Sequence, residues 1–368
     1  MSFFDSMFDY LKVPLIDVQN ATNDFADEKF IREEGSGKEY KGRLVLSSGK
    51  SLDIVARRLD PELRGRRRKE FKTEIMMLAS LNHQNVVSIV GFCNENKENI
   101  IITKLEAKGS LDEYISDPIT LPWTQRLKIC LGIARALSYI HYDQGRTFSV
   151  IHRDIKSSKI LLDDKWEAKL SGFEFSTKKL AAQRHGLVLD KPYGTPGYMD
   201  PAYVRTESVS HKSDMYSLGV VLFEVLTGRK AFSQDNEKGE SLAELAKSHY
   251  ENETLNDIIH PGLQNQINSK TLKIFSEAAY RCLNEQRAQR PSIDKAIFAL
   301  DQALKSQLAT ENSQSVLKER NDEGISTNHW KIIENFGRQL YFLLPTYAFF
   351  NLASNQFSQS IEIILQVS

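Results

Sequence analysis

Residues 214–227 read DMYSLGVVLFEVLT, a helical stretch that is apolar almost all the way round. A helix without a polar face has to be enclosed by other elements, so this segment demands a large body built around it. Gly228 follows as a natural C-cap. The chain is long enough to supply that body. Its 368 residues, at about 150 per domain, make two ordinary domains or one large two-lobed one. A core of that size forms without disulfides or metals.

The hydrophobic period changes along the chain. Residues 11–30 read as a short helix leading into strands. Tyr40 to Leu46 and Leu52 to Leu59 flank a Ser-Ser-Gly-Lys turn, a hairpin pattern. Phe71, Ile75 and Leu78 then fall on one helical stripe, followed by strands at Val86 to Gly91 and Ile100 to Lys104. Beyond that helices dominate, with Leu127, Leu131, Ala134 and Leu137 striping one of them and a short strand at Ile160 to Leu162. The predicted order is a small strand-rich lobe and then a large helical lobe.

Composition excludes several classes. Lys+Arg and Asp+Glu both number 48, so no net field draws the chain to nucleic acid. Cys93, Cys130 and Cys282 are odd in number, widely spaced and set in apolar runs, as expected of reduced cytosolic thiols. The N-terminus lacks a signal-peptide pattern, and Ser2 excludes N-myristoylation. Leu340 to Ala353, interrupted by Pro345, is shorter than the roughly 20 residues a spanning helix needs. A soluble intracellular protein is the expectation.

Three further segments carry a specific pattern: VIHRDIKSSKILLD at 150–163, YGTPGYMDPAY at 193–203 and SDMYSLGVVLFEVLTGR at 213–229. Together, and in this order, they resemble the protein-kinase family. More narrowly they are similar to the plant receptor-like kinases related to Pelle, in the receptor-like cytoplasmic form. The resemblance implies an α+β bilobal fold over residues 20–305, with a small lobe at 20–104 and a large one at 105–305. Residues 1–19 are then an N-terminal lead, 306–330 a polar linker, and 331–368 a tail rich in aromatics such as Tyr341 and Phe349.

Phosphoryl transfer in this family needs a base, a lysine on the phosphates and metal ions held by an Asp and an Asn. By resemblance, Asp154 of His152-Arg153-Asp154 is the base and Lys156 the phosphate-contacting lysine. The metal ligands are replaced: Lys159 stands where the family has Asn, and Gly172 of Gly172-Phe173-Glu174 where it has Asp. Mg²⁺ wants hard oxygen ligands, so Mg²⁺ is not expected, unless Glu174 swings in. Asp163 and Asp164 read as caps of the turn after their strand.

The nucleotide loop keeps only Gly37 in register, with Arg32 and Glu34 at glycine positions and Glu39 where an apolar residue covers adenine. A lone buried Glu39 would cost several kcal/mol. Arg57 replaces the strand lysine, with Arg58 as the alternative register, and the bland reading pairs Arg57 with Glu74. Val55 is bulkier than the family's alanine, and Thr103 matches the residue guarding the back pocket. These departures imply weak ATP binding at most.

His152, Phe173 and Asp214 match positions that link the lobes and brace the catalytic loop. Ala202 replaces the family's glutamate, so Arg290 must find another partner. Ser176, Thr177, Tyr193 and Thr195 are candidate phosphate acceptors, and Thr195 lies in the activation segment. The basic run Arg64, Arg66, Arg67, Arg68 and Lys69 reads as a solvated helix start. Arg67, Arg68 and Lys72 are placed to meet an acidic partner. The expectation is a pseudokinase that scaffolds or regulates an active kinase or receptor complex, cytoplasmic or at the plasma membrane through partners. The alternative is a weakly active Ser/Thr kinase.

Overall fold

A computed structural model describes residues 3–34, 37–46, 49–60, 66–231 and 241–313. Residues up to Leu308 form one compact unit. Its elements run α1 (Phe3–Met7), α2 (Leu15–Thr22), β1 (Phe30–Glu34), β2 (Gly37–Val45), β3 (Ser51–Leu59), α3 (Arg66–Leu78), β4 (Ile89–Cys93) and β5 (Ile100–Lys104). Then follow α4 (Trp123–Tyr142), β6 (Phe148–Ile151), β7 (Ile160–Leu162), β8 (Ala168–Leu170), β9 (Thr177–Leu180), β10 (Val188–Leu189), α5 (Pro201–Thr206) and β11 (Ser208–Val209). The described elements close with α6 (His211–Thr227), α7 (Leu242–Glu251), α8 (Pro261–Gln264), α9 (Ser269–Cys282) and a last helix over 293–313.

The small lobe is an antiparallel sheet in the order β1-β2-β3-β5-β4. The β2–β3 register is fixed by alternation, because Ile54 and Ala56 point into the core while Val55 and Arg57 turn to the other face. The expected strand at Val86 to Gly91 begins later, at Ile89. Val86 and Val87 leave the small sheet to contact Leu170 of β8, with Val87 N–H donating to the Leu170 carbonyl at 3.0 Å.

The N-terminal residues belong to this lobe and are not a separate lead. Phe4 and Phe8 are buried with Phe71, Ile75 and Phe92, each contributing about 1.5–3 kcal/mol of burial. Lys72 lies 5.0 Å over the Phe4 ring and so does not face a partner freely. Arg68 and Lys69 are exposed, as expected of a solvated helix start. Arg64, the side chains of Arg66 and Arg67, and the tail aromatics lie outside the described residues.

The large lobe is wrapped around α6. Met215, Leu218, Val220, Val221, Leu222 and Phe223 are all fully buried there. Ser210 caps the helix start, and Gly228 ends it at φ 68°, its N–H donating to the Glu224 carbonyl at 2.8 Å. The segment expected as linker from residue 306 is helical to 313. Its polar residues are used: Gln307 donates to the Gln266 carbonyl at 2.7 Å and Asn268 to the Ser306 carbonyl at 3.3 Å. All three cysteines are free and buried. Among the described residues, no helix is long and apolar enough to cross a membrane.

Candidate active-site cleft

Between the lobes lies a cavity of about 580 Å³, bounded by β1–β3, β5, α3 and the loops around β7 and β8. The loop of residues 152–159 forms its floor. Arg153 sits there at φ 76°, a conformation non-glycine residues adopt at a cost. Asp214 of α6 holds it, accepting from His152 N–H at 2.9 Å, Arg153 N–H at 2.8 Å and His141 Nε2 at 2.7 Å. His152 bonds the Ser171 carbonyl at 2.9 Å and stacks edge-on with Phe173 at 4.7 Å.

Asp154 is buried, and both of its oxygens are taken. Thr195 Oγ donates to Oδ1 at 2.7 Å, and Lys159 Nζ donates to Oδ2. Lys159, itself 5% exposed, donates again to Glu174 Oε1 at 2.9 Å and to the Gly172 carbonyl at 3.3 Å. Burial alone would lower the lysine pKa, but Glu174 and Asp154 outweigh it and hold it raised. Burial likewise pushes Glu174 up, and Lys159 followed by Arg57 pulls it down to about 2. An ammonium therefore sits among the carboxylates. Glu174 has not swung in as a spare ligand; it is the second anion of this lysine.

Gly172 and Lys159 form one steric unit. Gly172 has φ +76°, and a Cβ there would fall 2.4 Å from Lys159 Cδ and 2.6 Å from Cε. The lysine stem fills the space into which a carboxylate at residue 172 would project. These residues do not fit a divalent cation.

Arg57 points into the cleft and pairs with Glu74 of α3. Arg58 turns away to Glu98, at 2.6 and 2.8 Å, which removes the alternative register. Glu39 is not the lone buried acid the sequence suggested, because Arg32 Nε donates to it at 2.9 Å. The same guanidinium reaches across the cleft to Ser110 Oγ at 3.0 Å and the Ser158 carbonyl at 3.3 Å. Ser110 is oriented by a capping box with Glu113.

The structure thus gathers Asp154, Lys156, Lys159, Arg57, Glu74, Thr103, Gly172 and Thr195 around one cavity. Gly37 is not among its lining residues. Its missing Cβ relieves contact with Leu59 and the Arg58 carbonyl, at 3.0 and 3.1 Å, so it serves hairpin packing. Glu34 pairs with Gly37 along the backbone, and its side chain is outside the described residues. Asp163 caps its turn, accepting from the N–H groups of Lys165 and Glu167.

Below the cleft, Arg290 finds its replacement partner in Asp200, at 2.7 Å with both side chains fully buried. Ser213, Arg287 and the Ala202 N–H complete the shell of that carboxylate. Two further contacts escaped sequence reasoning. One is the Arg32 bridge. The other is Asp190, which accepts from Arg153 Nη1 at 2.9 Å. Both join residues far apart in sequence, and no local spacing marks them.

A five-stranded small lobe, a helical large lobe and an aspartate-bearing loop between them make the architecture of a protein kinase. A protein kinase domain profile matches residues 32–300. The chain is 38% identical to Receptor-like protein kinase FERONIA of Arabidopsis thaliana over 304 residues, covering 82% of this chain and 33% of that one. It is 36% identical to Receptor-like protein kinase ANXUR2 of the same plant over 303 residues, 82% of this chain and 34% of that one. The chain belongs to the protein kinase family, among the plant receptor-like kinases. It spans about a third of the length of these curated relatives.

Proposed function

We propose that the chain is a catalytically impaired member of its family, a pseudokinase that scaffolds or allosterically regulates an active kinase in a receptor complex. One observation carries this reading: Lys159 is bonded to Asp154 and Glu174 in the place where metal-ligating oxygens are needed. With the base neutralised by a lysine and Gly172 closed to a carboxylate, ATP binds weakly and Mg²⁺ does not tighten it. The features that fix lobe geometry are intact, namely Glu74 with Arg57, His152 with Phe173, and Asp214 under the loop. A cytoplasmic site of action, at the membrane only through partners, is consistent with this role. Exposed Arg68 and Lys69 offer a basic edge for an acidic partner face, where rim charges govern on-rate and salt dependence.

The second reading, a weakly active Ser/Thr kinase, is favoured by the Thr195–Asp154 hydrogen bond and by Lys156 in the cleft. Radiolabelled phosphate transfer to itself and to a generic protein substrate separates the two. The pseudokinase reading expects none; transfer that disappears in Asp154→Asn establishes the second.

A further inference from the structure

Two short joints connect the lobes. In the first, Leu105 N–H donates to the Asp53 carbonyl of β3 at 3.0 Å, and Lys108 N–H donates to the Leu162 carbonyl of β7 at 3.0 Å. Glu106 and Ala107 therefore separate a residue bonded to the small sheet from one bonded to the large lobe. In the second, Leu170 of β8 donates to the Asn85 carbonyl at 2.9 Å and accepts from Val87 N–H at 3.0 Å. Lobes joined in this way can rock, and kinase lobes ordinarily close around a ligand.

A third connection crosses the cleft and is made by one side chain. Arg32 and Glu39 are cross-strand partners in β1 and β2, and Arg32 Nε donates to the Glu39 carboxylate at 2.9 Å. That pair aims the rest of the guanidinium at the large lobe, where Nη1 donates to Ser110 Oγ at 3.0 Å and to the Ser158 carbonyl at 3.3 Å. Both acceptors are fixed. Ser110 bonds Asp112 and Glu113 within its own turn, and Ser158 belongs to the loop that Asp214 holds. Opening the cleft breaks the two Nη1 bonds but leaves the Arg32–Glu39 pair whole. Release therefore strands no charge, and on reclosure the arginine is already aimed. We propose that Arg32 is an interlobe latch, holding the lobes at one closed angle with protein atoms alone. The shape offered to a partner is then set by the chain and not by a bound ligand. The latch rests on these contacts rather than on the catalytic reading, and lobe distances test it separately from any transfer assay.

The three native cysteines are buried, so spin labels can be placed selectively through Val45→Cys on β2 and Lys270→Cys on α9, both exposed positions. Pulsed spin-distance measurements on the full chain with Arg32 intact are expected to give one narrow distance, unchanged by ATP, ADP or Mg²⁺. Adding Arg32→Ala should broaden the distribution toward longer distances. Amide exchange in β1, β2 and residues 105–110 should rise about tenfold, the worth of a lost charged hydrogen bond, while α6 stays protected. Arg32→Lys keeps the charge but not the fork that spans three acceptors, and should fall between. A distribution unmoved by Arg32→Ala overturns the latch. So does an intact chain that is already broad or that closes further with ATP. Exchange that rises equally in α6 would assign Arg32 to global stability and overturn the latch as well.

Discussion

Asp200 and Asp214 beneath the cleft are buried, as are Asp154 and Lys159 within it beside a half-buried Glu174, yet their charges are used differently. Asp214 is aimed at two backbone N–H groups and the His141 ring, and Asp200 at two arginines, a serine and an N–H. Such carboxylates fix the positions of loops and helices. In the cleft, each charge is aimed at another side chain, and the result is mutual neutralisation. The first arrangement preserves a kinase's shape. The second fills the cleft with pairs of opposite charge.

The largest expected effect lies in the structural group. Asp200→Ala strands Arg290, which is fully buried, and should cost about 3–5 kcal/mol in denaturant unfolding. A loss under about 1 kcal/mol would mean that the carbonyls of Asn284 and Lys212, at 2.7 and 2.9 Å, suffice for the guanidinium, and the contrast would weaken.

In the cleft, Gly172→Asp alone meets both the positive φ and the Lys159 stem, and should destabilise by about 1–3 kcal/mol. Combining it with Lys159→Asn removes the stem, so much of that loss should be recovered. Simple additivity in the double-mutant cycle would show that the two positions are not one steric unit. On the proposed pseudokinase reading, phosphate transfer should be absent from the wild type and from the double variant, in which Arg57 and the Arg32–Glu39 bridge persist.

Much of this was legible beforehand. The α6 helix, the β2–β3 hairpin and the Arg57–Glu74 pair each follow from a local period or a short motif. The floor of the cleft was legible through the family resemblance that the motifs at 150–163 and 193–203 carry. What was not legible depends on pairs distant in the chain: Arg32 with Ser110, Arg153 with Asp190, Asp200 with Arg290. Glu39 looked like a cost only because its partner lies across a hairpin, where side-chain direction rather than sequence decides the contact. The polar run at 306–313 looked like a linker because its hydrogen-bond partners, Gln266 and Asn268, come from another segment.

The pH dependence separates buried groups by sign. Burial raises Glu224 in α6 to about 7, so its folded state holds a proton that the unfolded chain releases above 4.5. That stability is lost as pH rises from 4.5 to 7. Burial, then His141 and His185, lower His211 to about 4 from an ordinary 6.5. Its contribution is lost as pH falls from 6.5 to 4. Between 4.5 and 6.5 the two slopes oppose, each worth about 3 kcal/mol at most over its window. Glu224→Gln should uncover a stability that climbs with pH across this range. The Glu174 contribution, by contrast, disappears only as pH falls from 4.5 through about 2. A curve unchanged in Glu224→Gln would mean that Tyr198 O–H and Ala231 N–H keep the carboxylate charged.

The smallest effect tests whether the activation segment belongs with the structural group or with the cleft. Arg153 donates to the Asp190 carboxylate, to the Lys191 carbonyl at 3.1 Å and to the Tyr203 hydroxyl. Asp190 is thus a fixed anion on the loop's own arginine, and order in the segment needs no added phosphate. Because Asp190 is partly exposed, with 37% of its side chain accessible, Asp190→Asn should cost about 1 kcal/mol or less globally. Its effect should be local: faster amide exchange across β9 and β10, with α6 unchanged. The order should also survive phosphatase treatment of the wild type. Exchange that rises equally in α6 would tie the segment to the structural core, and exchange that rises only after phosphatase treatment would place a phosphate, not Asp190, on Arg153.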